Sequence, residues 1–199
     1  EKAYWLGFLY ADGNIAKDTN NVELSLSYND IEHLKKFNIF MEHEKDIINI
    51  SNVTYNNKVY KRCRWIVNNK HLHDTLNALG CIPAKSLILK FPSTNIFKDN
   101  SLIKHFIRGY VDGDGCISYN NKEHTICDLS ILGTEDFLTG LQEYIPKKLL
   151  YKIHSTGSKA KGLSIHGKNA FNIIDYLYSN STIYLQRKYE RYKEFCRLY

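Results

Sequence analysis

Two aspartates carry the chemistry of this sequence. Asp12 stands just before the end of "YWLGFLYADG" (residues 4–13), and Asp114 holds the same place in "FIRGYVDGDG" (106–115). The stretches align position for position, Gly7 with Gly109, Asp12 with Asp114 and Gly13 with Gly115, each 102 residues on (114 − 12 = 102). Both read as apolar helices that make two unfavourable choices. An interior glycine costs a helix roughly 1 kcal/mol relative to Ala, and an Asp in the last turn opposes the helix dipole by about 0.3–1 kcal/mol. If the helices lie side by side, the two carboxylates also repel each other. A divalent cation removes that conflict. Carboxylate oxygens with positions left open for water and phosphate suit Mg²⁺ or Mn²⁺, and a metal-bridged carboxylate pair suits phosphodiester hydrolysis.

The glycines fit the same arrangement. Gly7 and Ala11 lie four apart, as do Gly109 and Gly113, so each pair occupies one helix face. Small residues there let two backbones approach closely, which offsets the propensity cost.

The elements that must position the aspartates repeat with them. "NNVELSLS" alternates strictly, Val22, Leu24 and Leu26 against Asn21, Glu23, Ser25 and Ser27, which predicts a half-buried strand. "NDIEHLKKFNIFM" predicts a helix with Asn29 or Asp30 as N-cap. A hairpin around Asn56-Asn57 and an amphipathic helix over "KHLHDTLNALG", closed by Gly80, complete the unit. The outline is αββαββα. "CDLSILGTEDFLTGLQEY" echoes the first strand and helix with Leu24 on Leu129, 105 apart, and the change of offset is placed in the "NNKEH" turn. "LSIHGKNAFNIIDYL" mirrors "WIVNNKHLHDTL". The expected organisation is a first repeat over 1–89, a linker over 90–101 that carries Pro92, and a second repeat over 102–199.

Composition narrows the partners. The 199 residues carry a net charge of +6 and 15 Tyr, and basic charge interleaved with Tyr and Asn suits a polyanion. No apolar run approaches the roughly 20 residues of a membrane span, and no signal peptide is visible. Five widely spaced cysteines form no CxxC pair, so neither zinc nor a disulfide framework is indicated. Cys63, Cys81 and Cys127 read as core filler, and a reducing intracellular compartment is expected. "GDGCIS" lacks the third Gly of a dinucleotide loop, His71 and His73 point apart, and no phosphate loop or HExxH is present.

"WLGFLYADG" and "IRGYVDGDG" resemble the two signature motifs of single-chain LAGLIDADG homing endonucleases, and the αββαββα pattern extends the resemblance over nearly the whole chain. It implies an α+β monomer of two repeats about a pseudo-twofold axis, with the motif helices packed at the centre. It also implies antiparallel sheets that form a saddle in the DNA major groove. The implied activity is metal-dependent cutting of both DNA strands across the minor groove, leaving 3′ overhangs, with Asp12 and Asp114 as metal ligands. A basic residue near each active site is implied as well. Lys85 and Lys188, 103 apart (188 − 85 = 103), hold that place, with Arg187 as a substitute for the second. Asp112, whose counterpart is Tyr10, is expected to be structural, or to support the site through another residue, rather than to be a metal ligand.

Strand alternation assigns the DNA face independently of the resemblance. With Cys63, Trp65 and Val67 inward, Tyr60, Arg62, Arg64 and Ile66 face outward beside Asn21, Glu23, Ser25 and Ser27. In the second half the outward set is Asp128, Ser130, Lys152, His154, Ser164 and His166. Double-stranded DNA is the expected partner, through major-groove base edges. Intron RNA is an alternative, since some relatives act as maturases, and lapsed catalysis on a DNA-binding scaffold is another. Abundant Lys, Asn, Ile and Tyr, all with A/T-rich codons, point to an AT-rich phage, a low-GC bacterium or an organelle as the source.

Overall fold

Helix α1 (Lys2–Asp12) is buried from Ala3 to Tyr10, all the way round, as a helix enclosed by protein must be. The computed structural model describes every residue except 44–46, 147–149 and 158. After α1 follow strands β1 (Gly13–Ile15) and β2 (Asn21–Ser27), helix α2 (Ile31–Phe40), strands β3 (Asn49–Tyr55) and β4 (Lys58–Asn68), and helix α3 (Lys70–Ala78). The second series runs α4 (Ile103–Asp114), β5 (Gly115–Tyr119), β6 (Cys127–Gly133), α5 (Glu135–Gln142), β7 (Ile153–Ser155), β8 (Lys161–His166) and α6 (Gly167–Tyr178). The αββαββα outline therefore occurs twice, and a further helix, α7 (Gln186–Phe195), follows the second copy.

The two sheets share one topology, β1-β2-β4-β3 and β5-β6-β8-β7, antiparallel throughout. Val22, Leu24, Cys63 and Trp65 line one core, and Leu129, Ile131, Leu163 and Ile165 the other. Asn56 and Asn57 both adopt positive φ (48° and 59°), the two-residue turn whose twist suits a hairpin. Gly80, at φ 93°, ends α3 as expected. Asp30 is the N-cap of α2 but its side chain makes no capping bond, because a one-turn 3-10 helix (Tyr28–Asp30) precedes it.

The repeat offset needs correction. Gly13 pairs with Leu24, and its counterpart Gly115 pairs with Ile131, so Leu24 corresponds to Ile131, 107 on (131 − 24 = 107), rather than to Leu129. In the helices, buried Leu34 and Phe37 of α2 match Leu138 and Leu141 of α5, 104 on (138 − 34 = 104). The difference of three residues is the 3-10 turn at Tyr28–Asp30. In the second copy Thr134 follows β6 directly and caps α5 by accepting from the Phe137 amide at 3.0 Å. A two-residue slip keeps every side chain on its own face, so the expected burial pattern survives.

The chain divides into two compact units, residues 12–84 and residues 1–11 with 85–199. Most of α1 thus groups with the second copy. Its packing explains this, because a Cβ added at Gly7 would overlap the Phe106 carbonyl oxygen and one at Gly109 the Tyr4 carbonyl oxygen. The α1–α4 backbones touch as the glycine spacing predicts. Ala11 and Gly113 are half-buried. The expected linker 90–101 contains a one-turn 3-10 helix (Thr94–Ile96), the start of a second (Asn100–Leu102) and a buried Pro92. Among the described residues, no helix is long and apolar enough to cross a membrane.

Candidate active site and nucleic-acid face

In the larger unit, Asp114 ends α4 and lines a small cavity of about 210 Å³ with Lys85, Ser86, Tyr110 and Thr134. Burial pushes its carboxyl above the usual carboxylate range, and the ammonium groups of Lys85 and Lys188, with the Tyr110 hydroxyl, draw it back only in part. A carboxylate held in this way, at the negative end of a helix, has room for one more positive charge. The donor set fits a divalent ion that takes its remaining ligands from phosphate and water. Among the described residues, no group of three or more His, Cys, Asp or Glu forms a cage for a metal.

Lys188 is not a solvated charge. It is 3% exposed, and its Nζ donates to the carbonyls of Val111 (2.7 Å), Asp112 (2.6 Å), Gly113 (3.3 Å) and Gly115 (2.5 Å). The Asp112 and Gly113 carbonyls are ones that a helix end leaves without partners, Val111 also accepts the Gly115 amide, and Gly115 opens β5, so the ammonium caps the end of α4 beside Asp114. Arg187, next to it, is exposed. Lys85 begins a single turn in which its carbonyl accepts from the Ile88 and Leu89 amides, and the Leu89 carbonyl accepts from the Thr134 hydroxyl. The residue that caps α5 therefore also anchors the Lys85 turn.

Asp112 is structural in the sense expected. It is fully enclosed, accepting from the hydroxyls of Tyr4 (2.7 Å) and Tyr178 (2.6 Å) and from the Leu185 amide (2.8 Å). Burial pushes its carboxyl up, opposed by Lys188 and those donors. Arg108, equally buried, donates to the Leu177 and Ile183 carbonyls and to His105 Nδ1. Together they hold the segment before α7 against α4, which fixes Lys188. Among the described residues this network does not recur in the first copy, where a single turn at Lys85–Leu87 stands in the place of α7, so the repeat pattern carries no sign of them.

Asp12 is half-exposed, the last residue of α1 and the first of the smaller unit. On the first sheet Asn21, Glu23, Ser25 and Ser27 alternate outward, and Tyr60, Arg62, Arg64 and Ile66 join them. The ladder adds Asn49, Ser51, Val53 and Tyr55 of β3, which lie opposite Arg64, Arg62, Tyr60 and Lys58. Reflection through the Asn56-Asn57 turn is the sequence signal for them. On the second sheet Asp128, Ser130, Ser164 and His166 are outward as expected, with His154 on β7. Lys152 is exposed but precedes β7, because that strand begins at Ile153. Cys116, Ser118 and Leu132 share this face.

The two faces carry a matched feature. Asn68 Nδ2 donates to Asn21 Oδ1 at 2.8 Å across the β2–β4 ladder, and His166 Nδ1 contacts Asp128 Oδ1 at the corresponding place on β6–β8.

No protein-family model matches the chain, and no curated protein matches it. Solved structures do. The homing endonuclease I-WcaI bound to its DNA recognition sequence aligns with a TM-score of 0.61 at 12% identity, over 94% of this chain and 84% of its own. The LAGLIDADG meganuclease I-AabMI bound to uncleaved DNA gives 0.58 at 11% identity, over 100% and 90%. This chain has the LAGLIDADG fold. I-DmoI in complex with DNA and Ca aligns at 0.51 and 17% identity, over 89% and 88%. At such identities the likeness lies in architecture: two four-stranded antiparallel sheets, each following a motif helix, within an α+β chain.

Proposed function

We propose that the chain is a site-specific homing endonuclease that binds a long asymmetric double-stranded DNA target as a monomer. In this reading it hydrolyses both strands across the minor groove and leaves 3′ overhangs. The observation that carries the reading is the meeting of Lys85 and Lys188 at the half-buried Asp114, on the negative end of a motif helix. The DNA-bound state of I-WcaI and I-AabMI supports the choice of partner.

Asp12 and Asp114 would hold Mg²⁺ or Mn²⁺, which when bound neutralises phosphate charge and lowers the pKa of a coordinated water. The chain's own residues supply the remainder. Lys85, at the cavity rim, offsets negative charge that grows on the phosphate during hydrolysis. Lys188 keeps the end of α4, and with it Asp114, in place. The outward sheet residues bind base edges and phosphates.

The test is cleavage of a random-sequence duplex library with Mg²⁺, followed by sequencing of the new ends. Recovery of one long sequence class with 3′ overhangs, abolished by EDTA, is the expected result. Unselective cleavage, or none under any divalent ion, would contradict it.

A further inference from the structure

On the first sheet Arg64 of β4 stands opposite Ser25 of β2, and Glu23 is its diagonal neighbour on the same strand face. Arg64 Nε lies 2.8 Å from Glu23 Oε1 as an ion-pair contact outside hydrogen-bond geometry, and Nη2 donates to Oε2 at 2.9 Å. The carboxylate therefore covers the Nε/Nη2 edge of the guanidinium. Among the described residues Nη1 makes no hydrogen bond, and the Nη1/Nη2 edge is left for something else. The pair is partly withdrawn from water, with side-chain exposures of 36% for Arg64 and 16% for Glu23. The residues directly opposite Arg64, Ser25 and Asn49, are short.

We infer that Glu23 and Arg64 form a preassembled guanine reader, in which Arg64 contacts the base and Glu23 is the positioning residue. This inference rests on the DNA-binding function proposed above. Guanine presents O6 and N7 in the major groove, two acceptors spaced for two parallel N–H donors of one arginine edge. Holding the opposite edge on a carboxylate removes side-chain freedom before DNA arrives, so less is lost on binding. A negative charge on a face meant for a polyanion is otherwise a disadvantage, and orienting Arg64 accounts for it. Arg62 makes no ion pair among the described residues and suits phosphate instead. In the second sheet the place of Arg64 falls to Gly162, opposite Leu132, so the reader belongs to one half of the target only.

The test uses the full chain and a random-sequence duplex pool, with selection by binding in Ca²⁺. The wild-type protein should enrich duplexes with one G·C pair at a fixed place in one half-site. Arg64→Met, which keeps the stem and removes the donors, should remove the preference at that position alone. Replacing the selected guanine by 7-deazaguanine should weaken wild-type binding about tenfold or more and leave Arg64→Met unaffected. Glu23→Gln should move two quantities in opposite directions. Affinity for random-sequence duplex rises because a negative charge is gone, and discrimination for guanine falls about fivefold or more. A merely structural role for Glu23 would lower both together and would overturn the proposal. So would a guanine preference that survives Arg64→Met. A wild-type protein that enriches no sequence would overturn the endonuclease reading itself, and this inference with it.

Discussion

Gly7 and Gly109 are reciprocal. Each lies where a methyl group would overlap a backbone carbonyl of the facing helix, that of Phe106 for Gly7 and that of Tyr4 for Gly109. Each target carbonyl lies three residues before the opposing glycine, so the contact has local twofold character. An unfavourable glycine in a helix interior is here the condition for backbone contact between α1 and α4.

Gly7→Ala should accordingly destabilise the protein. On an exposed helix the same change gains about 1 kcal/mol. Here backbone stands in the way, so overpacking should cost roughly 1–3 kcal/mol. Thermal or urea unfolding reads the sign directly, and a variant that melts above wild type would contradict the close contact.

Lys188→Met should cost about 2–4 kcal/mol, because it leaves several carbonyls at the end of α4 without a charged donor. Arg187→Met, one residue away on the exposed side of α7, should stay within about 0.5 kcal/mol of wild type. Urea midpoints of the two variants decide this. Equal effects would show that the Lys188 ammonium does not cap α4.

His105 gives a pH signature. Burial, with the charges of Arg108 and Lys104, pushes its imidazole down from the usual 6.5 to about 4. Its folded pKa lies below its unfolded one, so its contribution to stability is complete above about pH 6.5. It is lost progressively as pH falls toward 4. The difference in stability between wild type and His105→Gln should therefore shrink between pH 7 and pH 4.5. Buried carboxyls held above their ordinary range, such as Asp112, contribute with opposite sign, but they are common to both proteins and cancel in the difference. A pH-independent difference would show that His105 stays as easy to protonate as in the unfolded chain.

Much of this fold is legible in the sequence because period-2 alternation and paired glycines report burial and contact directly. Val22, Leu24, Cys63, Trp65, Gly7 and Gly109 all lie where those patterns put them. The register of β6 is less legible, since a slip of two residues moves Leu24 from Leu129 to Ile131 without turning any side chain over. The site is legible at Asp114, and less so around it. The burial of Lys188 depends on α7, and the Glu23–Arg64 pair depends on which strands are neighbours. Neither follows from spacing along one chain. Lys152 shows the same limit, because alternation cannot say where a strand begins.

Binding should weaken steeply with salt, since Lys and Arg on the outward faces displace counterions condensed on phosphate. Affinity for duplex DNA measured between 50 and 200 mM KCl, on the order of the range over which such interfaces respond, should fall at least tenfold. A flat profile would mean that the basic faces do not meet the backbone.

The central claim is that Asp114 serves hydrolysis rather than binding or folding, and Asp114→Asn tests it most directly. The variant should bind the selected duplex with wild-type affinity and melt no lower than wild type, since partial burial already holds the carboxyl above its ordinary range. It should no longer cut at least one DNA strand in Mg²⁺. Full double-strand cleavage by Asp114→Asn at the wild-type rate would contradict the account.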